Sequence, residues 1–479
     1  MKMTTNKEQN VSNSSETKRI VRNVLVISLA FMVHFTAYCG AANLQSSINA
    51  EAGLGTASLA AVYAGLIFSN IFLPVAVIRW LGTKWAICVS FITYMPYIAA
   101  QLWPNFYSLI LSGLFVGLGG GPLWCAKCTY LSVVSEVHSK ISNISAGALL
   151  TRFLGLFFMI FQLNQVWGNL ISSLVLSSGD NHAAVTALNS TAISQVCGAN
   201  FLPSADAGEA LQSQPQEKIQ MIAGIYLACM AGAALIVAVG VDSMKRYDSG
   251  RSETGSTLSG MQLLVVTLKL IFEPNQLMLI TINIFIGMQQ AFFGADFTAA
   301  FVSCAIGTGT VGFVMMTYGI ADAIGCIVTG YIAKITGRIP LICFASIVHT
   351  ILFTTILVWQ PQPDYSYVLF IIAVVWGLCD SVWLVQINAY YGILFPGREE
   401  AAFSNFRLWE SVGYIIAYVI SPHMRTSVKT YILMGFMVLG LIQYFIVEYR
   451  DRSAKKSKKP TVEVISVSGL DNKAFQTTE

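Results

Sequence analysis

The chain has 479 residues, of which 55% are hydrophobic and 11% are charged, and its mean hydropathy is +0.64. This composition excludes an ordinary soluble domain and is typical of a polytopic membrane protein. The formal net charge of +4 is too small to indicate a nucleic-acid partner.

Apolar runs recur along the chain at the length of membrane spans, which is about 20 residues for a helix. No cleavable signal precedes the first run, because residues 1–17 are polar, so we expect this run to remain as an anchor. The fifth run is too long for one straight span, and its second part, 162–173, is polar enough to face protein or water, or to leave the membrane. The sequence therefore predicts twelve helices, at 21–42, 58–79, 84–102, 107–134, 145–176, 219–241, 276–296, 309–333, 339–359, 367–391, 403–421 and 428–447.

Polar segments divide these helices into two groups of six. Residues 242–260 are polar and are followed by the apolar run 261–274, which is too short to cross and is expected to lie along the membrane surface. The predicted organisation is a cytosolic tail (1–20), an N-terminal six-helix bundle (21–241) with an outer loop (179–218), a cytosolic linker (242–274), a C-terminal six-helix bundle (275–448) and a basic cytosolic tail (449–479).

The positions of lysine and arginine predict the orientation. With both termini in the cytosol, 22 of the 28 basic residues fall on cytosolic segments and three fall in outer loops, at Lys218, Arg425 and Lys429. Asn189 in the outer loop is then the one glycan acceptor expected to be modified. The other acceptor patterns lie on the cytosolic side, at Asn10, Asn13 and Asn143.

The two halves resemble each other when the chain is shifted by 255 residues without gaps. The turn "RWLGTK" (79–84) then matches "KITGRI" (334–339) as a basic residue followed by glycine and a second basic residue. The superposed pairs are Tyr63 with Tyr318, Arg79 with Lys334, Gly82 with Gly337, and Arg152 with Arg407. Two related six-helix halves predict the all-α major facilitator fold with pseudo-symmetric bundles.

Several motifs resemble the Unc-ninety-three-like family of major-facilitator-type proteins. They run in family order from about residue 20 to 450, as "RNVLVISLAFMVHFTAYCGAANLQSSINAEAGLG" (22–55), "GLGGGPLWCAKCTYLS" (117–132), "VWGNLISSLV" (166–175), "WGLCDSVWLVQINAYYGILF" (376–395) and "EEAAFSNFRLWESVGYIIA" (399–417). The resemblance implies a twelve-helix, non-enzymatic protein. It also implies that the chain regulates two-pore potassium channels in muscle, or escorts receptors through internal membranes.

Transporters of the superfamily carry an acidic residue among the bases of the turn between the second and third helices. Here "VIRWLGTKW" (77–85) keeps the glycine and the bases but has no acid. The missing acid favours a regulator over a transporter, and the resemblance implies its target: a regulatory subunit of a potassium channel complex at the plasma membrane, with an internal membrane as the other location. The alternatives are a secondary transporter of a small solute and a trafficking escort.

Charges inside predicted spans mark candidate functional residues, because a charge near a helix centre costs about 2.5–3.5 kcal/mol on insertion scales. Lys127, within "CAKC" (125–128), either snorkels to the inner boundary or turns inward to a partner. Asp322 and Asp380 lie about halfway along the eighth and tenth spans. Aspartate is too short to snorkel, so we expect both to join a buried polar network, or to serve as proton or cation sites if the protein is a transporter.

A second group of charges lies near the cytosolic ends of the fifth and eleventh helices. Arg407 and Glu410 are three residues apart and are expected to pair on one helix face, with Arg152 at the equivalent point of the first half. With Lys127, Asp322 and Asp380, they complete the predicted buried charge network. These end residues are interpreted as a structural clamp, or alternatively as an inner gate. Asp296 is placed at the outer end of the seventh helix and is given no role.

The remaining chemistry is sparse. "CAKC" lies within an apolar helix without a second pair, which argues against a zinc or redox site, and no nucleophile–base pattern is present. The sequence thus predicts no enzyme, metal site or cofactor. Cys197 and Cys304 are the two cysteines outside predicted spans, and they are candidates for a disulfide across the halves. The tail segment "KKSKKP" (455–460) either attracts anionic lipid or is ordinary positive-inside charge.

Overall fold

The computed structural model describes residues 2–49, 53–142, 144, 146–178, 196–203, 215–247, 265, 268–395 and 399–457. Throughout this part of the chain the structure is helical and no strand occurs, which confirms the all-α prediction. The principal helices are α1 (Lys2–Ala42), α2 (Gln45–Ile48), α3 (Leu54–Ala99), α4 (Phe106–Ser142), α5 (Ala146–Phe161), α6 (Leu163–Ser177), α7 (Gln216–Gly240), α8 (Pro274–Ala291), α9 (Val311–Thr336), α10 (Arg338–Val358), α11 (Tyr367–Leu394), α12 (Glu399–Ile420) and α13 (Thr426–Ser457).

Among the described residues, 11 helices are long and apolar enough to cross a membrane. The long helix α3 supplies two of them, and α8 continues through a π-helical segment, Phe292–Ser303, and a last turn, Cys304–Ile306. The predicted span 403–421 corresponds to α12, which is helical but is not one of the eleven. The four charged residues of α12, which are Glu399, Glu400, Arg407 and Glu410, lower its hydropathy.

The ends of the predicted segments differ from the structure in two places. Helix α1 begins at Lys2, so the polar residues before position 21 extend the first helix. Of the predicted surface helix 261–274, residues 265 and 268–274 are described; 268–271 are helical, a turn follows, and α8 begins at Pro274.

The two turns matched by the 255-residue shift have the same backbone conformation. Gly82, within α3, has φ 73° and ψ 162°, and Gly337, between α9 and α10, has φ 81° and ψ 177°. A positive φ favours glycine over residues that carry a Cβ. The sequence repeat is therefore matched by a structural repeat at the sharp bend between helices of each half.

These two turns are held differently. In the C-terminal half, Arg338 next to the bend pairs with Glu448 of α13 at 2.8 Å, and its guanidinium lies 4.1 Å from the Tyr390 ring. In the N-terminal half, Arg79 is exposed, and Lys84 contacts the ring of Trp85 at 5.6 Å. At the second turn the acidic partner of the basic residue thus comes from a different helix, α13.

The motif "GLGGG" lets two helices of the N-terminal half approach closely. A Cβ added at Gly117 of α4 would lie 2.2 Å from the carbonyl oxygen of Val62 on α3. Only a residue without a side chain allows this approach, as in other membrane helix pairs. These glycines therefore serve packing.

The fifth predicted span is divided at Gln162 into α5 and α6. The polar residues of α6 are buried, including Asn164, Asn169 and Ser172, so this part of the span faces protein. It packs against α9 of the other half, where a Cβ at Gly312 would lie 2.3 Å from the Asn169 carbonyl oxygen. The Asn169 side-chain oxygen accepts a hydrogen bond from Asn43, just after α1, at 2.9 Å, so the polarity of 162–173 reflects packing within the N-terminal half as well as the contact with α9.

The two halves also meet at the end predicted to face outward. The hydroxyls of Ser47 on α2 and Ser303 at the end of the π-helical segment lie 2.7 Å apart, and those of Ser46 and Thr298 lie 3.4 Å apart. A Cβ at Gly53 would contact the ring of Pro422, 2.5 Å away. This end of the molecule is closed by direct contact between the halves.

Candidate functional site

A buried carboxylate lies at the centre of the C-terminal half. Asp380 of α11 is 1% exposed. Its carboxylate accepts hydrogen bonds from the side-chain amides of Gln289 and Gln290, the latter at 3.0 Å and 3.2 Å, and from the Tyr318 hydroxyl at 2.6 Å. Donors from two helices, α8 and α9, therefore converge on the carboxylate of a third, which satisfies the requirement that a buried anion be hydrogen-bonded.

A layer of aromatic side chains fixes the orientation of Gln289. The Trp376 indole nitrogen donates to the Gln289 side-chain oxygen at 2.6 Å, so the amide nitrogen is directed to Asp380. His349 packs edge-on to Trp376, with ring centroids 4.9 Å apart, and accepts a 3.0 Å hydrogen bond from the Trp383 indole. The donors around Asp380 are thus held by a rigid surrounding.

Asp322 of α9 is less well bonded than Asp380, although it is buried at 9% exposure. Its described hydrogen bond comes from the Cys326 thiol, 3.8 Å away, which is a weak donor. The helices that carry the two aspartates pack closely, since a Cβ at Gly377 of α11 would lie 3.0 Å from the Asp322 backbone nitrogen. The structure thus brings Asp322 and Asp380 together in one polar cluster, as a network of buried aspartates requires.

The cluster reaches the N-terminal half through two tyrosines. The Tyr414 hydroxyl of α12 donates to the side-chain oxygen of Gln290, which itself contacts Asp380. The ring of Tyr414 stacks on Tyr63 of α3 at 4.2 Å and an interplanar angle of 5°. A change in the spacing of the halves would therefore act directly on the hydrogen bonds around Asp380.

Arg407 and Glu410 of α12 form the expected ion pair, with 2.6 Å between nitrogen and oxygen. Their exposure is very different, because the Glu410 side chain is 5% exposed whereas that of Arg407 is 61% exposed. Arg152 is also exposed. The structure therefore corrects the prediction of one buried network of six charges: Arg152 and Arg407 are not buried, and the aspartates form a separate cluster.

Lys127 of α4 neither snorkels nor pairs with an acid among the described residues. It is 2% exposed, and its ammonium lies over the rings of Trp124, Phe157 and Phe158 at 5.1 Å, 4.4 Å and 4.9 Å. Snorkelling is therefore contradicted, whereas Lys127 does turn inward, as the second alternative requires, with aromatic rings in place of an acidic partner among the described residues. Three aromatic faces surround the cation, and their quadrupoles replace part of its hydration.

Sequence reasoning missed a buried ion pair at the outer end. The basic-residue pattern places Lys429 in an outer loop and assigns no role to Asp296, but both side chains are 2% exposed and form an ion pair. Ser421 donates to the Asp296 carboxylate at 2.7 Å, and Lys429 donates to the Ser421 carbonyl at 3.0 Å. The opposite charges were visible in the sequence, but their 133-residue separation gave no signal of contact.

An eight-residue part of the outer loop, 196–203, lies on the C-terminal half. The structure joins its Cys197 to Cys304, with Cα atoms 5.7 Å apart. The Thr426 amide donates to the Phe201 carbonyl at 3.0 Å, and the Phe201 side chain is fully buried. Oxidation of the two cysteines in the cell stays a prediction. Asn189, the predicted glycan acceptor, lies outside the described residues.

The described residues contain no cluster of three or more His, Cys, Asp or Glu side chains that could hold a metal ion. Cys125 and Cys128, which flank Lys127 in the sequence, are not joined in a disulfide. Among the described residues, the buried charged side chains are thus the main candidates for a functional role.

Two six-helix halves around a central seam define the major facilitator fold, and solved structures agree. The nucleoside transporter NupG, in a D323A mutant, has a TM-score of 0.60 at 11% identity and covers 89% of this chain and 99% of its own. The inward-open xylose transporter XylE from Escherichia coli has a TM-score of 0.59 at 13% identity, covering 89% and 95%.

The chain belongs to the UNC-93 family. A family model described as "Ion channel regulatory protein UNC-93" matches residues 45–445. "Protein unc-93 homolog A" of Xenopus laevis is 36% identical over 444 residues, covering 92% of this chain and 96% of the relative. The Caenorhabditis elegans protein named "Putative potassium channel regulatory protein unc-93" is 30% identical over 445 residues, covering 91% of this chain and 62% of that relative.

Proposed function

We propose that this protein is a non-enzymatic regulatory subunit of a potassium channel complex at the plasma membrane, with both termini in the cytosol. The observation that carries the proposal is membership of a family described as ion channel regulators, together with a worm relative named for potassium channel regulation. The channel itself is a membrane-protein partner. The basic tail at 455–460 is proposed to contact anionic lipid near that partner.

The geometry around Asp380 supports a regulator over a coupled carrier. A carrier must load and release a proton or cation at its carboxylate in each cycle, whereas Asp380 receives three side-chain donors and is 1% exposed. Satisfied buried networks of this kind rigidify a core. The contact of Tyr414 with Tyr63 gives that rigid cluster a mechanical link to the other half.

A regulator acts by binding one channel state more tightly than another. The proposed action needs no solute pathway. The outer surface of the helices contacts the channel, and the interface between the two halves sets the distance between them. The escort role remains an alternative that uses the same surface.

A solute transporter is the second candidate, and one observation favours it. Asp322 has a single weak described donor, the Cys326 thiol, and could therefore exchange a proton more readily than Asp380. The fold of the solved neighbours is compatible with this role, but at 11–13% identity it carries no information about a solute.

The deciding experiment expresses the protein with and without a two-pore potassium channel and records the current. We expect the channel current to change at equal channel surface density. The Asp322→Asn variant should fold, reach the surface and retain this effect. Unchanged current in every pairing, together with solute uptake abolished by Asp322→Asn, would make the transporter the better description.

A further inference from the structure

On the predicted cytosolic side, helix α1 is tied to the segment that follows α7. The Asp242 carboxylate lies 3.1 Å from the Arg19 guanidinium and 3.3 Å from that of Arg22. The Asn23 side-chain amide donates to the same carboxylate at 3.1 Å and to the Tyr247 hydroxyl at 2.9 Å. These contacts hold basic side chains from two segments of the chain, 16–22 and 242–247, in one cluster.

The charges of this cluster do not balance. A second ion pair joins Arg246 to Glu16 at 3.0 Å, and Glu16 and Asp242 are the two acids of the segments 16–22 and 242–247. The same segments carry five bases, which leaves an excess of three positive charges. The bases are Lys18, Arg19, Arg22, Lys245 and Arg246, and the lysines are exposed while the arginine side chains are 40%, 52% and 44% exposed. The excess charge is therefore accessible from outside the protein.

The outward face of α1 becomes apolar on the membrane side of this cluster. Its exposed residues follow one another at three- and four-residue steps and so form one stripe along the helix. In chain order they are Lys18, Arg22, Leu25 and Leu29. A change from basic to apolar side chains, here between Arg22 and Leu25, is typical of the level where a membrane helix enters the hydrocarbon.

The end of α7 shows the same change beside α1. A Cβ at Gly240 of α7 would lie 2.8 Å from Cγ1 of Val26 on α1, so the two helix ends are in contact. The exposed stripe of α7 is apolar at Leu235 and Val239, and the basic segment 242–247 follows it. Two neighbouring helices thus present apolar side chains to the membrane next to one shared patch of positive charge.

We infer that this cluster is a binding site for an anionic phospholipid of the inner leaflet whose headgroup carries phosphate monoesters. A group of four to eight basic residues directly cytoplasmic of a membrane helix is typical of phosphoinositide recognition. Arginine forks match phosphate oxygens in a bidentate geometry. The headgroup contacts the exposed bases, and the acyl chains lie along the apolar stripes of α1 and α7.

Two features distinguish this cluster from the cytosolic excess of lysine and arginine that membrane proteins share. The ion pairs with Asp242 and Glu16 hold the three arginines in place before a lipid binds. The bases also come from two segments, so one headgroup contacts both and stabilises the contact between α1 and 242–247. The site is separate from the basic tail at 455–460, and it is tested without a channel.

The test uses the full-length protein purified in detergent, so the result does not depend on the orientation of the chain. The probe is a short-chain phosphatidylinositol bisphosphate, and phosphatidylserine and phosphatidylcholine with the same chains are the comparisons. We expect the probe to raise the Tm in a saturable way, with an apparent affinity at least about tenfold tighter than that of phosphatidylserine, and phosphatidylcholine to leave the Tm unchanged. Inositol trisphosphate, a headgroup without acyl chains, should bind more weakly than the probe.

A matched pair of double variants locates the site. Lys18→Gln with Lys245→Gln removes two exposed bases that have no described ion pair, and it should weaken the affinity for the probe by about tenfold or more. Lys18→Arg with Lys245→Arg keeps both charges and should retain binding. The control, Arg79→Gln with Lys269→Gln, removes two exposed bases outside the cluster and should bind the probe as the wild type does.

Monodispersity in size-exclusion chromatography checks the folding of each variant. If the lysine double variant does not fold, Arg22→Gln takes its place, because Asp242 then keeps Arg19 as its partner. No rise of Tm with the probe, equal affinities for the probe and phosphatidylserine, or equal losses in the lysine double variant and the control would overturn the inference. Equal affinities for inositol trisphosphate and the probe would indicate a site for soluble phosphates and would overturn it as well.

Discussion

The two halves share a backbone repeat but have opposite chemistry at their centres. The 255-residue shift places Cys125 at the position of Asp380 and His34 at that of Gln289. In the N-terminal half a thiol therefore stands in place of the Asp380 carboxylate, and an imidazole stands in place of the Gln289 amide that donates to it. His34 stacks on Phe91 at 4.1 Å, and neither of its ring nitrogens has a described hydrogen-bond partner.

Aromatic packing fills the centre of the N-terminal half. The ring of Phe31 lies 5.2 Å from both Phe91 and Phe157 and 5.7 Å from Trp124. Such contacts depend on shape and volume, whereas the polar cluster around Asp380 depends on the pairing of specific donors and acceptors. One fold thus combines an apolar half, in which aromatic rings surround Lys127, with a polar half that buries the carboxylates of Asp322 and Asp380.

The largest effect on stability is expected at the buried ion pair between Lys429 and Asp296 in the C-terminal half. The first half has no such pair, because the 255-residue shift places Ala41 at the position of Asp296. Lys429→Met leaves the Asp296 carboxylate buried and unpaired, so the free energy of unfolding should fall by about 3–5 kcal/mol. Chemical unfolding in detergent, followed by tryptophan fluorescence, measures the change. The double variant Lys429→Met with Asp296→Leu should recover most of it, and failure to recover would contradict the assignment.

The disulfide predicted between Cys197 and Cys304 ties a loop of the first half to the second. Its removal by Cys197→Ser is expected to cost about 2–4 kcal/mol in the free energy of unfolding. Thiol mapping of the native protein by mass spectrometry comes first, because two free thiols would refute the bond. Cys343→Ser, at a free cysteine, is the control and should leave stability nearly unchanged.

The repeat itself offers a matched pair of arginines. Arg407→Gln leaves the buried Glu410 without its partner, and we expect a loss of about 1–3 kcal/mol. Arg152→Gln, at the related position, should change stability by less than about 0.5 kcal/mol, because Gly155 stands where the second half has Glu410. If Arg407→Gln and Arg152→Gln lowered the free energy of unfolding equally, the ion pair with Glu410 would not distinguish the two halves.

The smallest effect on stability is expected from the outer loop of the first half. Asn189→Gln should abolish a shift of the protein band on glycosidase treatment, with no change in folding. Asn143→Gln should leave the shift intact. A glycan on Asn143 would reverse the assigned orientation of the whole chain.

Much of this architecture follows from local properties of the sequence. The length and hydropathy of each run determined the helices, and the recurrence of glycine with flanking bases at 82 and 337 predicted the two related halves. The polarity of 162–173 left three environments open, and the structure selects burial against protein. These features are readable because they depend on neighbours along the chain, as helix length, turn glycine and amphipathic periodicity do.

The pairing of charges was decided by tertiary structure alone. Sequence reasoning placed Lys127 either at the boundary or beside an acid, but the rotation of α4 against α5 directs it to three aromatic rings. It left Lys429 in a loop, although the approach of α13 to the π-helical segment buries that residue against Asp296. The energy of a buried charge depends on what surrounds it in three dimensions, and helices distant in sequence supply those surroundings.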